Sequence, residues 1–464
     1  MAGYALALIA ALLIACELLW MPVQASDSLG ELLDAQDSPS IWSSFSGALG
    51  TTAYLRPLRI AQIKGLFDLA QGRWYWLVFR GFHALLLIAA AMLFVRALRI
   101  STTVDFAASS FALLVLVGLY TFRGLVREAF PINHFLETVV ACLVALNLAQ
   151  SRQSIWIDVG AALTFVAAAL TLESGLLVWV VAAAAWLAGW RGISLRGIAV
   201  MTTLLIGYFA VRFMYLSTGV PALSERSAGY LLDTLEPAQL QERFGARPLL
   251  FYGYNVAASV SSVLFSEPQD GVFEAVVNWL TRRPLPRVVI PVATSVVTTA
   301  LLGWVAVRRI RRAGAFDDTA RMLIVFLFVL AGNAALSFAY AQDEIMSVAG
   351  VFYALAAFGA IREALLASSR LRPVTAIATV LVLTMLGAGW AVRVGGVHFL
   401  LRSQAIKQQV DWVELPGRWQ REHNWPEEPA AQQLILQLRR DAVRMTLPNT
   451  LEGGPEWPDH LWLD

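Results

Sequence analysis

The chain contains only two cysteines in 464 residues. Cys16 and Cys142 both lie in apolar runs, which excludes a disulfide framework. Charge is also scarce, at 15% of residues where a soluble domain has about 25%. The net balance is only +2, and no basic run is dense enough for nucleic acid. The sequence lacks a Gly-rich phosphate loop, a metal-ligand box and a Ser-His-Asp arrangement. No internal repeat is visible.

Apolar side chains are abundant. They make up 58% of the chain, and the mean hydropathy is +0.62, which together indicate an all-α polytopic membrane protein. Apolar stretches close to the span length of about 17–25 residues predict eleven membrane helices. They lie at 3–22, 75–95, 104–122, 131–149, 154–171, 174–190, 195–216, 286–307, 321–341, 345–367 and 374–395. Leu13-Ile14-Ala15-Cys16 fits a lipoprotein cleavage box, but no Lys or Arg precedes the run, so an uncleaved anchor is expected. The sixteen Trp residues are read as interface belts, with Trp42, Trp74 and Trp76 at the outer face.

Lys and Arg in the short loops set the orientation. Arg96 and Arg99, Arg152, Arg191 and Arg196, Arg308 to Arg312, and Arg362 to Arg372 fall in alternate loops and predict a cytoplasmic set. Asp317-Asp318 falls in the same set, among arginines. The outer set is then loop 23–74, loop 123–130, the turn at Glu173, loop 217–285, Asp343-Glu344 and the segment 396–464. This divides the chain into a membrane domain, 1–395, and a small outer segment, 396–464, read as two short capping helices. The N-terminus is predicted to be cytoplasmic and the C-terminus periplasmic. Short cytoplasmic loops and an Ala/Arg-rich composition favour a bacterial inner membrane.

Glu173 is the only charged residue between Asp158 and Arg191. A desolvated carboxylate costs several kcal/mol, so the turn either is bathed in water or faces a polar cavity. Loop 23–74 opens with Asp27, Glu31, Asp34 and Asp37 and then turns basic with Arg56, Arg59 and Lys64. Outer cations oppose the positive-inside trend and point to an anionic partner. From Pro57 to Gly72, Leu58, Ile60, Ile63, Leu66, Phe67 and Leu69 fall near helical spacing, predicting an amphipathic interfacial helix. Loop 217–285 is expected to hold another interfacial or re-entrant segment.

The order of these features resembles the GT-C superfamily of membrane glycosyltransferases, near the protein O-mannosyltransferases and their tetratricopeptide-bearing relatives. The matching stretches are "AYLRPLRIAQIKGLFDLAQGRWYWLVFRGFHALLLIAAAML" from Ala53, "REAF" at 127–130, "ALTLESGLLV" at 169–178 and "YFAVRFMYL" at 208–216. The resemblance implies a polyprenyl-phosphate sugar as donor and a glycan, lipid or protein acceptor. Asp27, or Glu31 in its place, would act as base or orient the acceptor hydroxyl. Arg56, Arg80 and Arg212 would neutralise the donor phosphate, and His83 would protonate it or hydrogen-bond to it. Glu173, with Glu128, Asp343 and Glu344, would line the cavity. A divalent cation, Mg or Mn, is left open as a cofactor.

The chain also departs from that pattern. Ser28 follows Asp27 where a second acid is common, and Leu172 precedes Glu173 where lysine is common. "AQDEIMSVAG" at 341–350 replaces a later arginine-tyrosine motif, and the segment from His398 carries no tetratricopeptide period. Two other classes compete: a transporter or flippase, and an inactive scaffold. Against a transporter, charges do not run through to the cytoplasmic side and no paired broken helices appear.

Overall fold

A computed structural model describes residues 2–25, 27–51, 55–71, 74–128, 131–216, 227–229, 232–235, 237–245, 248–266, 276, 278–284, 289–311, 317–368, 372–422 and 428–444. The first half runs α1 (Ala2–Leu18), α2 (Asp27–Asp37), α3 (Ile41–Thr51), α4 (Pro57–Ala70), α5 (Tyr75–Leu98), α6 (Thr103–Gly118), α7 (Tyr120–Arg127) and α8 (His134–Ala149). Then come α9 (Ile155–Thr171), a 3-10 turn (Glu173–Leu176), α10 (Leu177–Leu187), α11 (Leu195–Phe209) and a π-helical turn (Ala210–Tyr215). A short antiparallel pair, β1 (Ser227–Gly229) with β2 (Leu232–Leu235), precedes α12 (Pro237–Phe244) and α13 (Pro248–Phe265). The remainder is α14 (Val289–Arg311), α15 (Asp318–Leu336), α16 (Ser347–Ser368), α17 (Pro373–Glu422) and α18 (Pro429–Arg444).

The chain is a helical integral membrane protein. Among the described residues, six helices, α5, α11 with its π turn, α14, α15, α16 and α17, are long and apolar enough to cross a bilayer. A seventh crossing results if α6 and α7, bent by 60° at their junction, act as one. Each of the eleven apolar segments contains a helix, but α1, α8, α9 and α10 are shorter than a full span. Outside those eleven, α13 is a further short apolar helix in the loop expected to hold an interfacial segment.

Side-chain caps start the helices at one end of the bundle. Thr102, Ser154, Ser194 and Asp317 each accept from a backbone N–H three residues on, opening α6, α9, α11 and α15. Such a cap contributes about 1 kcal/mol. The arginine-rich loops meet at this same end. Arg362 pairs with Asp105 at 2.6 Å, Arg309 binds Asp317 at 2.8 Å and also Glu363, and Gly192 N–H donates to the Ala149 carbonyl at 2.9 Å. The loops that charge alternation groups together are therefore neighbours in space.

One apolar core holds the bundle, with α16 at its centre and nearly all of that helix buried. A second, smaller core lies at the opposite end. It joins Leu29 and Leu32 of α2, Ile63 of α4, Phe79 of α5, Trp412 of α17 and Leu434, Ile435 and Leu438 of α18. Trp412 Nε1 donates to the Val23 carbonyl at 2.6 Å, and Gln36 Nε2 donates to the Ala430 carbonyl at 3.2 Å. The C-terminal segment thus packs on α2 and the residues just before it.

The details of that end differ from expectation in two ways. α17 runs unbroken past residue 395, so the first capping helix is the extension of the last span rather than a separate element. The helix from Pro57 forms, but its inward face carries Arg59 and Lys64 while Leu69 is 66% exposed. Arg59 is drawn inward by an ion pair with Glu31, which outweighs simple apolar partition.

Candidate functional site

The polar centre of the molecule forms where α4, α8, α11 and the Glu173 turn meet, at the end opposite the arginine-rich loops. α9 ends at Thr171, Leu172 is extended, and the chain folds straight into the 3-10 turn. Gly175 permits this, because a Cβ there would lie 2.1 Å from the Ala168 carbonyl oxygen. The close return of backbone on backbone puts Glu173 at the start of the turn. Ser174 Oγ reaches Thr138 Oγ1 at 3.4 Å and ties the turn to α8.

Arg56 precedes Pro57, which opens α4 at its first position. A residue before proline is kept out of the helical region, so Arg56 departs from the helix axis. Its Nε and Nη2 both donate to Glu173 Oε2, at 2.9 and 2.5 Å. Arg212 approaches from the other side, with Nη1 3.4 Å from Glu173 Oε1. It is carried on the π turn, a widened coil that recurs at functional positions in helices. Tyr208, four residues earlier, accepts from Arg212 Nη1 at 3.2 Å. The side chains of Arg56 and Glu173 remain 25% and 20% exposed, while that of Arg212 is 6% exposed.

A second ion pair lies beside the first. Arg59 binds Glu31, and burial lowers the Arg59 guanidinium below its usual range while Glu31 opposes that shift. Gln62 Nε2 donates to Glu137 Oε1 at 3.1 Å. Three guanidiniums, Arg56, Arg59 and Arg212, therefore contact two carboxylates, Glu31 and Glu173, and a third carboxylate, Glu137, is held by an amide.

The other candidate residues form a neighbouring group. Arg80 and His83 are buried in α5, with Arg80 Nη1 3.4 Å from His83 Nδ1, and Glu128 lies within electrostatic range of Arg80. Asn133 Nδ2 faces His83 Nε2 at 3.0 Å and donates to the Leu125 carbonyl at 2.7 Å. Its Oδ1 accepts from Leu136 N–H and caps α8. Asp343 and Glu344 pack on α7, where a Cβ on Gly124 would lie 2.9 Å from that of Asp343. Burial pushes the Glu344 carboxyl up to about 7, and the Arg127 charge works against that rise.

The first turn of α8 joins the two groups. Asn133 serves the buried pair in α5, while Glu137 is bound by Gln62 and His134 lies within range of Arg56 and Arg59. Of the expected residues, Glu173, Arg56 and Arg212 are in direct contact, and Glu31 stands next to them through Arg59. Arg80, His83 and Glu128 form the second group, with Asp343 and Glu344 beside α7. Asp27 begins α2, and its side chain lies outside the described residues.

Sequence reasoning missed Arg59, Gln62, Asn133, Glu137 and Tyr208 as members of this network. Two signals were available. Arg56, Arg59 and Gln62 recur every third residue, and Tyr208 and Arg212 are one helical turn apart, so each set shares a face. Among the described residues, no three His, Cys, Asp or Glu side chains gather as a metal-binding group. No family model matches the chain, and no curated protein or solved structure matches it either.

Proposed function

We propose that the chain is a GT-C-type glycosyltransferase that moves a sugar from a polyprenyl-phosphate carrier to an acceptor at the outer face of a bacterial inner membrane. In this reading the chain crosses the membrane eleven times, with the N-terminus cytoplasmic and the C-terminus periplasmic. One observation carries it: Arg56, Glu173 and Arg212 come from three distant parts of the chain and converge at a partly open polar site at the ends of apolar helices. A lipid-linked phosphate suits such a place, because its tail stays among apolar faces while its headgroup meets guanidiniums.

The chemistry in this reading is a displacement at the anomeric carbon of the sugar. An acceptor hydroxyl oxygen forms the new bond to that carbon, and the bond from carbon to the phosphate oxygen breaks. The hydroxyl proton passes to a carboxylate, Asp27 or Glu31, and the carrier phosphate leaves with the bonding pair. Arg56 and Arg212 stabilise the charge that develops on the leaving phosphate, which is where fixed donors accelerate a reaction most. Arg80 and His83 are buried, and His83 faces Asn133, the cap of α8, so in this reading the pair positions the start of that helix.

The scaffold reading has one observation in its favour, since Glu173 pairs with both arginines as a purely structural lock would. Activity separates the two. Purified protein supplied with polyprenyl-phosphate sugars should release sugar from the carrier. Glu173→Gln should leave it folded and cut transfer about tenfold or more, matching the loss of roughly 1.4 kcal/mol in the transition state. Asp27→Asn should do at least as much damage. Wild-type transfer by the Glu173→Gln protein would refute the catalytic reading and leave the lock.

A further inference from the structure

We propose that Glu173 is an internal competitor for the phosphate site: its carboxylate holds Arg56 and Arg212 until a phosphate takes them over. The inference rests on the reading that these two arginines receive phosphate, and it adds how the site is regulated. Three features of the contact support it.

The first is poor complementarity. A guanidinium binds best when two of its N–H groups meet two different oxygens. Arg56 instead spends both Nε and Nη2 on the single oxygen Oε2, at 2.9 and 2.5 Å. Arg212 reaches Oε1 only at 3.4 Å, without a hydrogen bond between them. One carboxylate has too few oxygens, too close together, to satisfy two arginines approaching from opposite sides. A phosphate monoester, the form the carrier takes once the sugar has left, is tetrahedral and offers three free oxygens. It can accept from Arg56 in two-pronged fashion and still present another oxygen to Arg212.

The second is access. The Arg56 and Glu173 side chains are 25% and 20% exposed, so an incoming anion reaches the outer edge of the pair first. Arg212 is the inner partner at 6% and is reached only after that edge has opened. The exchange can therefore proceed stepwise, with Arg56 transferring before Arg212.

The third is the anchoring of the competitor. Glu173 stands on a turn locked against α9 at Gly175 and tied to α8 through Ser174 and Thr138. It cannot travel with the arginines when they turn toward a ligand. Two partly buried guanidiniums side by side repel each other and lose water, so an unliganded site needs an anion to hold it together. Glu173 supplies that anion at the cost of a lower apparent affinity, since only the fraction of molecules with released arginines can bind. Once released, its carboxylate is left beside the bound headgroup, able to accept from a sugar or acceptor hydroxyl.

This assigns Glu173 opposite effects on binding and on transfer, which a simple structural role would not produce. The test is direct binding to the detergent-solubilised full chain, using undecaprenyl phosphate, inorganic phosphate and uncharged undecaprenol as probes. Glu173→Gln is expected to bind undecaprenyl phosphate about tenfold more tightly than wild type, while Arg56→Gln loses binding. Gain with inorganic phosphate as well would assign the effect to the phosphate group alone, whereas gain only with the lipid would assign it to a lipid headgroup held by its chain; either supports the exchange. Equal or weaker phosphate binding by Glu173→Gln, with Arg56→Gln still deleterious, overturns the competitor and leaves the phosphate site intact. Equal binding of undecaprenol and undecaprenyl phosphate by all variants overturns the phosphate reading itself. If Glu173→Gln fails to fold, Glu173→Asp replaces it. That variant keeps the charge but shortens the reach to Arg56, so phosphate should again bind more tightly than to wild type, and an unchanged affinity overturns the proposal.

Discussion

Gly175→Ala tests whether the turn carrying Glu173 is held by backbone contact with α9. The added methyl would sit 2.1 Å from the Ala168 carbonyl oxygen, 2.2 Å from its carbonyl carbon and 2.7 Å from the Ala169 nitrogen. Ordinary contact between such atoms is about 3.5 Å, so the turn must shift by about 1 Å or more. All three obstacles are backbone atoms, and no flexible side chain can yield. Overpacking costs about 1–3 kcal/mol, and this position belongs at the upper end of that range. A shift of that size also carries Glu173 Oε2 out of its short contacts with Arg56. The matched control is Gly207→Ala in α11, where a Cβ meets nothing within 4 Å. There the substitution should be neutral or stabilise by up to about 1 kcal/mol, because glycine is the poorer helix residue. Thermal unfolding of both proteins in the same detergent, followed by Trp fluorescence, measures the difference. Equal unfolding temperatures for the two variants would refute the contact as the origin of the turn.

Glu344 makes stability depend on pH. Its folded-state value of about 7 lies above the ordinary 4.5, so its contribution is complete below about 4.5 and is lost as pH rises through 7. The fall in melting temperature between pH 5 and pH 8 should shrink in Glu344→Gln, and an identical fall would exclude this carboxyl as its source. The membrane orientation is checked by an impermeant thiol reagent on intact cells, in a chain whose Cys16 and Cys142 are replaced by serine. Gly30→Cys, Glu242→Cys and Ala430→Cys should label, while Arg191→Cys and Ile310→Cys should not; labelling of Ile310→Cys from outside would reverse the orientation.

Helix positions were legible in the sequence because a bilayer imposes a run of apolar residues that no soluble fold needs. Span lengths were less so. α9 and α10 fall short because the chain turns at Glu173, and the hydropathy pattern does not reveal how tightly Gly175 lets that turn close. α13 was masked by the polar sequence around it. At the site, Glu173 could be singled out as a lone charge in an apolar stretch and Arg56 as an outer-loop cation, while Arg212 was named only through the resemblance. Arg59 was grouped with the outer cations, but its pairing with Glu31 is a long-range contact that local periodicity cannot encode. Arg80 and His83 were also named through the resemblance, and the contact of His83 with Asn133 is a tertiary one that local sequence does not show.

The unbroken rod of α17 links the thickness of the bilayer to the cap. From Pro373 to Leu415 it is 43 residues long, about 65 Å, roughly twice the hydrocarbon depth of a membrane. That leaves about 30 Å beyond a bilayer's hydrocarbon depth, and toward the far end the indole of Trp412 grips Val23 just before α2. A helix answers a thinner membrane by tilting. Over an overhang of about 30 Å, a tilt of roughly 10° carries the far end sideways by about 5 Å. The grip on Val23 passes that displacement to the segment that holds Glu31. A tilt of α17 would therefore reach the segment that holds Glu31 through one continuous helix.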